Sequence, residues 1–173
     1  ESSSKKLKQV KDILLKNKTD YLLVTAPENV AWILNIRGHD SSYSPIPNAR
    51  LLVNKKGLSY LFTNPKKTKK IKSIEARIYD ERKIEIILNR ICKKNIWLDT
   101  VSCPFFYKNL LKRKNKIIDK LDPIYFLKSI KNKTEIKNMK KSHLIDGVAL
   151  TKFLFWVKKN FKKKKITEIS AQK

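Results

Sequence analysis

Glycine is nearly missing from this chain: 3 residues in 173, beside 6 prolines. So few turn formers exclude a low-complexity or disordered protein. Three isolated glycines also leave no Gly-rich phosphate-binding loop. Sulfur is equally scarce, with 2 cysteines and 1 methionine. Neither Cys92 nor Cys103 has a Cys or His partner at metal-ligand spacing. A disulfide between them is open, although so little sulfur fits a reducing cytoplasm better. Only two histidines are present, His39 and His143, and neither accompanies a nucleophile motif. A Ser-His-Asp or Cys-His triad therefore cannot be assembled. No apolar run reaches the length of a membrane span, and no charged-then-apolar leader opens the chain.

Acid is the other shortage. Fifteen Asp and Glu face 41 Lys and Arg, a formal net charge of +26. Such an excess invites a free-standing nucleic-acid-binding module, because clustered cations release counterions from phosphate. Its makeup argues against that reading. Only 6 of the basic residues are Arg and 35 are Lys, whereas base and phosphate recognition leans on the guanidinium fork. The cations are also spread: residues 1–130 carry 28 basic and 12 acidic groups, and 131–173 carry 13 and 3. Lys, Ile and Asn are all residues of AT-rich codons, so compositional bias accounts for the charge. The chain starts at Glu1 rather than Met and stops at Lys173 within a helical pattern, which reads as a piece of a longer protein.

The apolar fraction of 41% supports a buried core. Ser2 to Ser4 offer N-caps to a helix with the stripe Leu7, Val10, Ile13 and Leu14. Tyr21–Thr25 and Asn95–Asp99 read as short buried strands. Pro27 opens a helical turn bearing Val30, Ala31, Trp32 and Leu34. Residues 50–53 and 58–62 flank Asn54-Lys55-Lys56-Gly57, a hairpin signal with Gly57 available for a left-handed position. Pro65 and the following lysines suggest a surface helix, and Ile78-Tyr79 a strand. Asp80 caps a helix with the stripe Ile84, Ile87, Leu88 and Ile91, in which Cys92 falls as a core residue. Pro104 suits the first turn of a helix carrying Tyr107, Leu110 and Leu111. Trp32, Trp97 and Trp156 sit in apolar runs and read as core. Alternating helices and strands with one hairpin predict a mixed α/β fold, a mixed sheet flanked by helices. A boundary falls near Asp122-Pro123. The divisions expected are a domain over 1–122, a linker over 123–132 and a helical segment over 133–173. That segment opens on the capping-box pattern Asn132-x-x-Glu135 and runs as a long amphipathic helix through Ile136, Met139, His143, Leu150, Phe153 and Val157.

One loop concentrates functional chemistry. Between Asn35 and Asn48, Arg37, His39, Asp40 and Tyr43 offer a cation, a titratable ring, a carboxylate and a phenol within seven residues. Polar loops on rigid scaffolds often bind ligands. The same residues could equally satisfy one another, with Asp40 holding Arg37 or capping backbone amides. His143 and Asp146, three apart on the long helix, supply two potential metal ligands and no third. A histidine at the core edge paired with the aspartate accounts for them better, and no metal site is expected.

The segments Asp20–Thr25, Ala31-Trp32-Ile33-Leu34-Asn35-Ile36-Arg37-Gly38-His39-Asp40 and Tyr43-Ser44-Pro45 resemble the second N-terminal domain of Xaa-Pro aminopeptidases, of the creatinase/prolidase metallopeptidase family. The run from Ser129 through Glu135, then His143 to Leu150 and Phe153 to Trp156, resembles the opening helix of that family's pita-bread catalytic domain. Thr167-Glu168-Ile169 resembles the helix start that follows. His39 departs from the serine usual in the family, and Ile46–Arg50 from its aromatic stretch.

The resemblance implies a creatinase-like N-terminal domain followed by the truncated start of a pita-bread α+β domain. It implies a homodimeric cytoplasmic hydrolase that removes an N-terminal residue preceding proline. Two divalent ions, commonly manganese, would be held by two Asp, one His and two Glu and would activate a bridging water. All five ligands would lie beyond Lys173, so this segment alone would be non-catalytic and would shape the substrate cleft and dimer, with Arg37, His39, Asp40 and Tyr43 as cleft candidates. The apolar stripe of the helix from Lys133 would then be exposed. A catalytically dead scaffold relative is the other reading that the resemblance leaves open.

Overall fold

The computed structural model describes residues 1–69, 71, 74–163 and 166–172. They fall into two units, Glu1–Ser129 and Ile130–Lys173.

The first unit is built on six strands: β1 (Tyr21–Val24), β2 (Arg50–Asn54), β3 (Ser59–Thr63), β4 (Ala76–Asp80), β5 (Asn95–Leu98) and β6 (Lys116–Asp119). Their order across the sheet is β4-β3-β2-β1-β5-β6. β2 pairs antiparallel with both β1 and β3, while β3–β4, β1–β5 and β5–β6 are parallel. Strand alternation divides the apolar residues between two faces. Leu22, Val24, Leu51, Val53, Leu61 and Trp97 meet α1 (Ser3–Lys16), α2 (Pro27–Leu34) and α5 (Pro123–Ser129). Leu23, Leu52, Phe62, Ile96 and Leu98 meet α3 (Ile84–Asn89) and α4 (Phe105–Lys112). The central strands are apolar on both faces because helices cover both.

Local chemistry sets the helix ends. Ser2 Oγ accepts from the Lys5 amide at 3.3 Å and starts α1. Lys18, at φ 52°, ends it, with Thr19 N–H donating to Leu14 O and Lys18 N–H to Leu15 O. This is a Schellman closure. Asp80 Oδ1 accepts from the Arg82 amide and starts the turn into α3.

The expected strands at 20–25, 50–62, 78–79 and 95–99 are present, and five particulars of the first unit differ. β6 escaped the sequence reading because its only apolar pair, Ile117-Ile118, stands among lysines. Gly57 is not left-handed; Asn54 Oδ1 instead accepts from the Lys56 amide and turns the hairpin. Cys92 is exposed, because α3 ends at Asn89 before the apolar pattern does. Pro65–Thr68 is a 3-10 turn, and residues 70, 72 and 73 of the expected surface helix lie outside the described residues. Most consequentially, Pro123–Ser129 of the expected linker is a helix, with Ile124 fully buried in the first core.

A buried polar joint holds that helix. Asp122 Oδ1 accepts from the Ile124 amide at 2.9 Å, and Oδ2 accepts from Asn29 Nδ2 at 2.9 Å. The Asp122 amide donates to Asp99 Oδ2, at the end of β5. Asn29 Oδ1 accepts from Lys128 Nζ at 2.7 Å, and Tyr125 donates to Glu28 at 2.9 Å. Burial raises the Asp122 pKa above the ordinary carboxyl value, against the pull of the Ile124 amide and Asn29.

The second unit has α6 (Lys133–Asn160) and α7 (Glu168–Gln172). The capping box forms: the Glu135 amide donates to Asn132 Oδ1, and the Asn132 amide donates to Glu135. No α6 side chain is buried and most are exposed, Leu144 at 70% and Phe153 at 40%. Trp156 is likewise 37% exposed rather than core. His143 is exposed and meets the Met139 carbonyl at 2.8 Å instead of pairing with Asp146.

Replacing Asn29 with Leu removes the amide donor to Asp122 Oδ2 inside the joint. Equilibrium urea unfolding should show a loss of about 1–3 kcal/mol, the cost of leaving buried polar partners unmet. A loss below about 0.5 kcal/mol would remove the joint from the account of stability.

Candidate functional site

The loop between α2 and β2 starts from a defined helix end. Asn35 is left-handed, at φ 54°, with Ile36 N–H donating to Ala31 O and Asn35 N–H to Trp32 O. Asparagine tolerates that conformation better than most side chains. Lys6, almost wholly buried, donates to the Trp32 carbonyl and to Asn35 Oδ1 and lies 4.3 Å from the Trp32 ring centroid. A cation there suits the carbonyl end of the helix.

Beyond Asn35 the loop closes on itself. The Gly38 amide donates to Pro45 O at 3.0 Å. A Cβ on Gly38 would stand 2.7 Å from Pro47 Cα, so the close approach of two backbones requires glycine here. Ser41 and Ser44 form a β-bridge, which puts Tyr43 at the tip, fully exposed.

Asp40 does not hold Arg37. Its Oδ2 accepts from the Asn48 amide at 2.7 Å, and its Oδ1 pairs with Lys67. Lys67 and the Asn48 amide hold the Asp40 carboxyl below its ordinary pKa against slight burial. Of the two self-satisfied arrangements foreseen, the amide cap occurs, and a lysine from the turn after β3 takes the place expected of Arg37. Among the described residues Arg37 donates only to its neighbour's carbonyl, Ile36 O, at 2.9 Å. His39 is exposed.

Arg37 also borders a cleft of about 270 Å³ with Glu28, Trp32, Pro45, Ile46 and Lys128. The structure thus brings Arg37 to a concave surface, uses Asp40 as an anchor, and leaves His39 and Tyr43 outside that lining. Sequence reasoning missed Glu28, Trp32 and Lys128. Glu28 carries no signal in the sequence beyond its place one residue after Pro27, and Trp32 reads as core. Lys128 gives no signal because residues 123–132 read as linker, whereas Pro123–Ser129 is a helix. Glu28 is tied by the Tyr125 hydroxyl, whose pKa burial and the Glu28 carboxylate push up to about 12. The cleft therefore combines two cations, one restrained carboxylate and an indole with apolar neighbours. It can hold a small zwitterionic group beside an apolar ring.

Among the described residues no three His, Cys, Asp or Glu side chains cluster to hold a metal ion.

The anchor has a pH signature. Because the folded pKa of Asp40 lies below the ordinary 3.8, its contribution is present above that value and lost as pH falls through the folded pKa. The Asn48 amide resonance should titrate with a midpoint below 3.8, and Asp40→Asn should abolish the transition. A midpoint at or above the ordinary value would contradict the anchor. Gly38→Ala should cost about 1–3 kcal/mol, as overpacking does, measured by thermal unfolding.

Comparison with known proteins places this architecture. Residues 1–135 match the creatinase/prolidase N-terminal domain family. Xaa-Pro aminopeptidase 1 of Dictyostelium discoideum is 33% identical over 168 residues, covering 94% of this chain and 26% of that protein. Xaa-Pro aminopeptidase ApepP of Drosophila melanogaster is 30% identical over 164 residues, covering 89% and 26%. The chain thus spans about a quarter of the length of these curated relatives. The X-prolyl aminopeptidase of Caenorhabditis elegans, a cytosolic enzyme with a di-nuclear active site, superposes with a TM-score of 0.77 at 23% identity, over 99% of this chain and 30% of that one. The N-terminal domain of an X-Pro dipeptidase from Streptococcus pyogenes superposes at 0.54 and 14% identity, over 75% of this chain and all of that domain. At such identities the superpositions establish the fold, and the match over residues 1–135 establishes the family: the chain belongs to the creatinase/prolidase N-terminal domain family.

Proposed function

We propose that this domain is the non-catalytic N-terminal part of an Xaa-Pro aminopeptidase and that its 35–48 loop borders the substrate cleft of the complete enzyme. The observation that carries the reading is a preorganised loop on a family-typical scaffold. A Schellman closure, the Gly38–Pro45 bond and the Asp40 anchor fix the backbone, yet Arg37, His39 and Tyr43 remain exposed. Folding has already met the ordering cost that binding otherwise adds.

A peptide with proline second is short at its reacting end and must be gripped by charge and by the ring. Arg37 can meet a carboxylate or steady an acidic wall of the cleft. Tyr43 offers a hydroxyl donor and an aromatic face to proline. Asp40 acts through the backbone, as a positioning residue. Two divalent ions, manganese in this reading, would supply Lewis acidity and a bound water from residues outside this segment. The same reading takes the enzyme to be a homodimer in the cytoplasm.

The test uses the complete enzyme. With Arg37→Ala or Tyr43→Ala, kcat/KM for a short Xaa-Pro peptide should fall about tenfold, or about 1.4 kcal/mol of transition-state stabilisation, with Tm within a few degrees of wild type. Unchanged kinetics in a folded mutant would sink the cleft role. A large fall in Tm with unchanged kinetics would assign both residues to loop stability alone.

A further inference from the structure

A second concave site lies on the opposite face of the sheet from α2 and α5. The reason is the length of α3. It has six residues and ends at Asn89, and the chain turns back through Lys93, at φ 55°, into β5. The sheet extends past it, leaving Tyr21 of β1, Tyr60 of β3 and Tyr79 of β4 only partly covered. Together with Ile87, Ile91, Arg90, Cys92 and Lys94 they line a pocket of about 360 Å³. That is within the range of small-ligand sites.

Its chemistry is two-sided. Tyr60 and Tyr79 meet edge to face at 5.5 Å, and Tyr79 stacks on Phe62 at 6.1 Å, so the aromatic floor is fixed. Among the described residues none of the three phenolic hydroxyls of the floor has a hydrogen-bond partner, and the Arg90 guanidinium forms no ion pair. The nearby carboxylate, Asp20, is already tied to Lys55 at 2.7 Å. An apolar ligand would leave the cations unused. An inorganic anion would leave the rings unused. We propose that this pocket binds a small planar aromatic carboxylate, its ring against Tyr60 and Tyr79 and its carboxylate at Arg90 and Lys94.

Cys92 reports on occupancy. It is exposed on the pocket wall, whereas Cys103, the other cysteine, is buried and free, its thiol pushed up to about 11 by burial. Ellman's reagent is itself an aromatic dicarboxylate. The Cys92 thiolate attacks one of its sulfurs, forms a mixed disulfide and expels the nitrothiobenzoate thiolate, with no further oxidant.

On the full 173-residue chain, labelling of Cys92 should saturate with reagent concentration, and 1-naphthoate should protect competitively. Arg90→Ala with Lys94→Ala should lower the Ellman rate at least tenfold relative to neutral 4,4′-dithiodipyridine. Removing two charges from the opposite face, at Lys8 and Lys16, should change that ratio less than twofold. Cys92→Ser keeps the pocket and should bind 1-naphthoate with a Kd of about 1 mM or tighter by calorimetry. Strictly second-order labelling, protection by cyclohexanecarboxylate as strong as by 1-naphthoate, or no heat with Cys92→Ser would each overturn the proposal.

Discussion

The buried joint of Asn29, Asp99 and Asp122 is the constraint on which the first unit depends. Each side chain belongs to a different part of the chain: the first turn of α2, the end of β5 and the start of α5. Exposure of 0% for Asn29, 4% for Asp99 and 2% for Asp122 leaves no water to replace a lost partner. Desolvated polar groups are tolerable only when bonded. Two carboxylates and one amide therefore specify one docking of α5, and with it the point at which the chain leaves the domain. The same joint orders the cleft wall, because Lys128 is bonded to Asn29 and borders the cleft with Arg37.

The loop follows a second rule, in which backbone rather than side chain is the ordered element. Asn35 and Gly38 serve geometry: one takes a left-handed turn, and the other lets two strands of backbone touch. Asp40 and Lys67 make an exposed pair whose direct worth is small, as surface ion pairs are; its value is in holding the Asn48 amide. The acid dependence of the unit has two signs. Asp20, Asp40 and Asp119 are held below the ordinary carboxyl value, so their contributions fade as pH falls through their folded pKa values. Asp122 is raised, so between the ordinary value and its folded pKa a rise in pH costs the folded state.

Periodicity made most of the sheet legible. Tyr21–Val24, Arg50–Asn54 and Asn95–Leu98 carry apolar residues at every buried position, and Leu61-Phe62 supply the apolar centre of β3. β6 and α5 were hidden for opposite reasons. β6 is a short edge strand with lysines around one Ile pair, and α5 begins at an Asp-Pro that reads as a break, although Asp122 there is an N-cap acceptor. Hairpin chemistry was misread at Gly57 because the Asn54 side chain supplied the turn. At the site, the loop and its four chemical groups could be read in order. Their partners could not: Lys67 is 27 residues from Asp40, and Lys128 is 99 residues from Asn29. Pairings at that range come from topology, which no local pattern contains.

We propose that an internally anchored loop presents exposed side chains to the substrate of a larger enzyme. The most direct measurement is photo-crosslinking of the complete enzyme with an Xaa-Pro peptide bearing a diazirine on its proline ring, followed by mass-spectrometric mapping. The account predicts a label on the tryptic segment that contains Tyr43, suppressed by excess unlabelled Xaa-Pro peptide. Competable labelling confined to other segments, with none between Arg37 and Pro45, would contradict it.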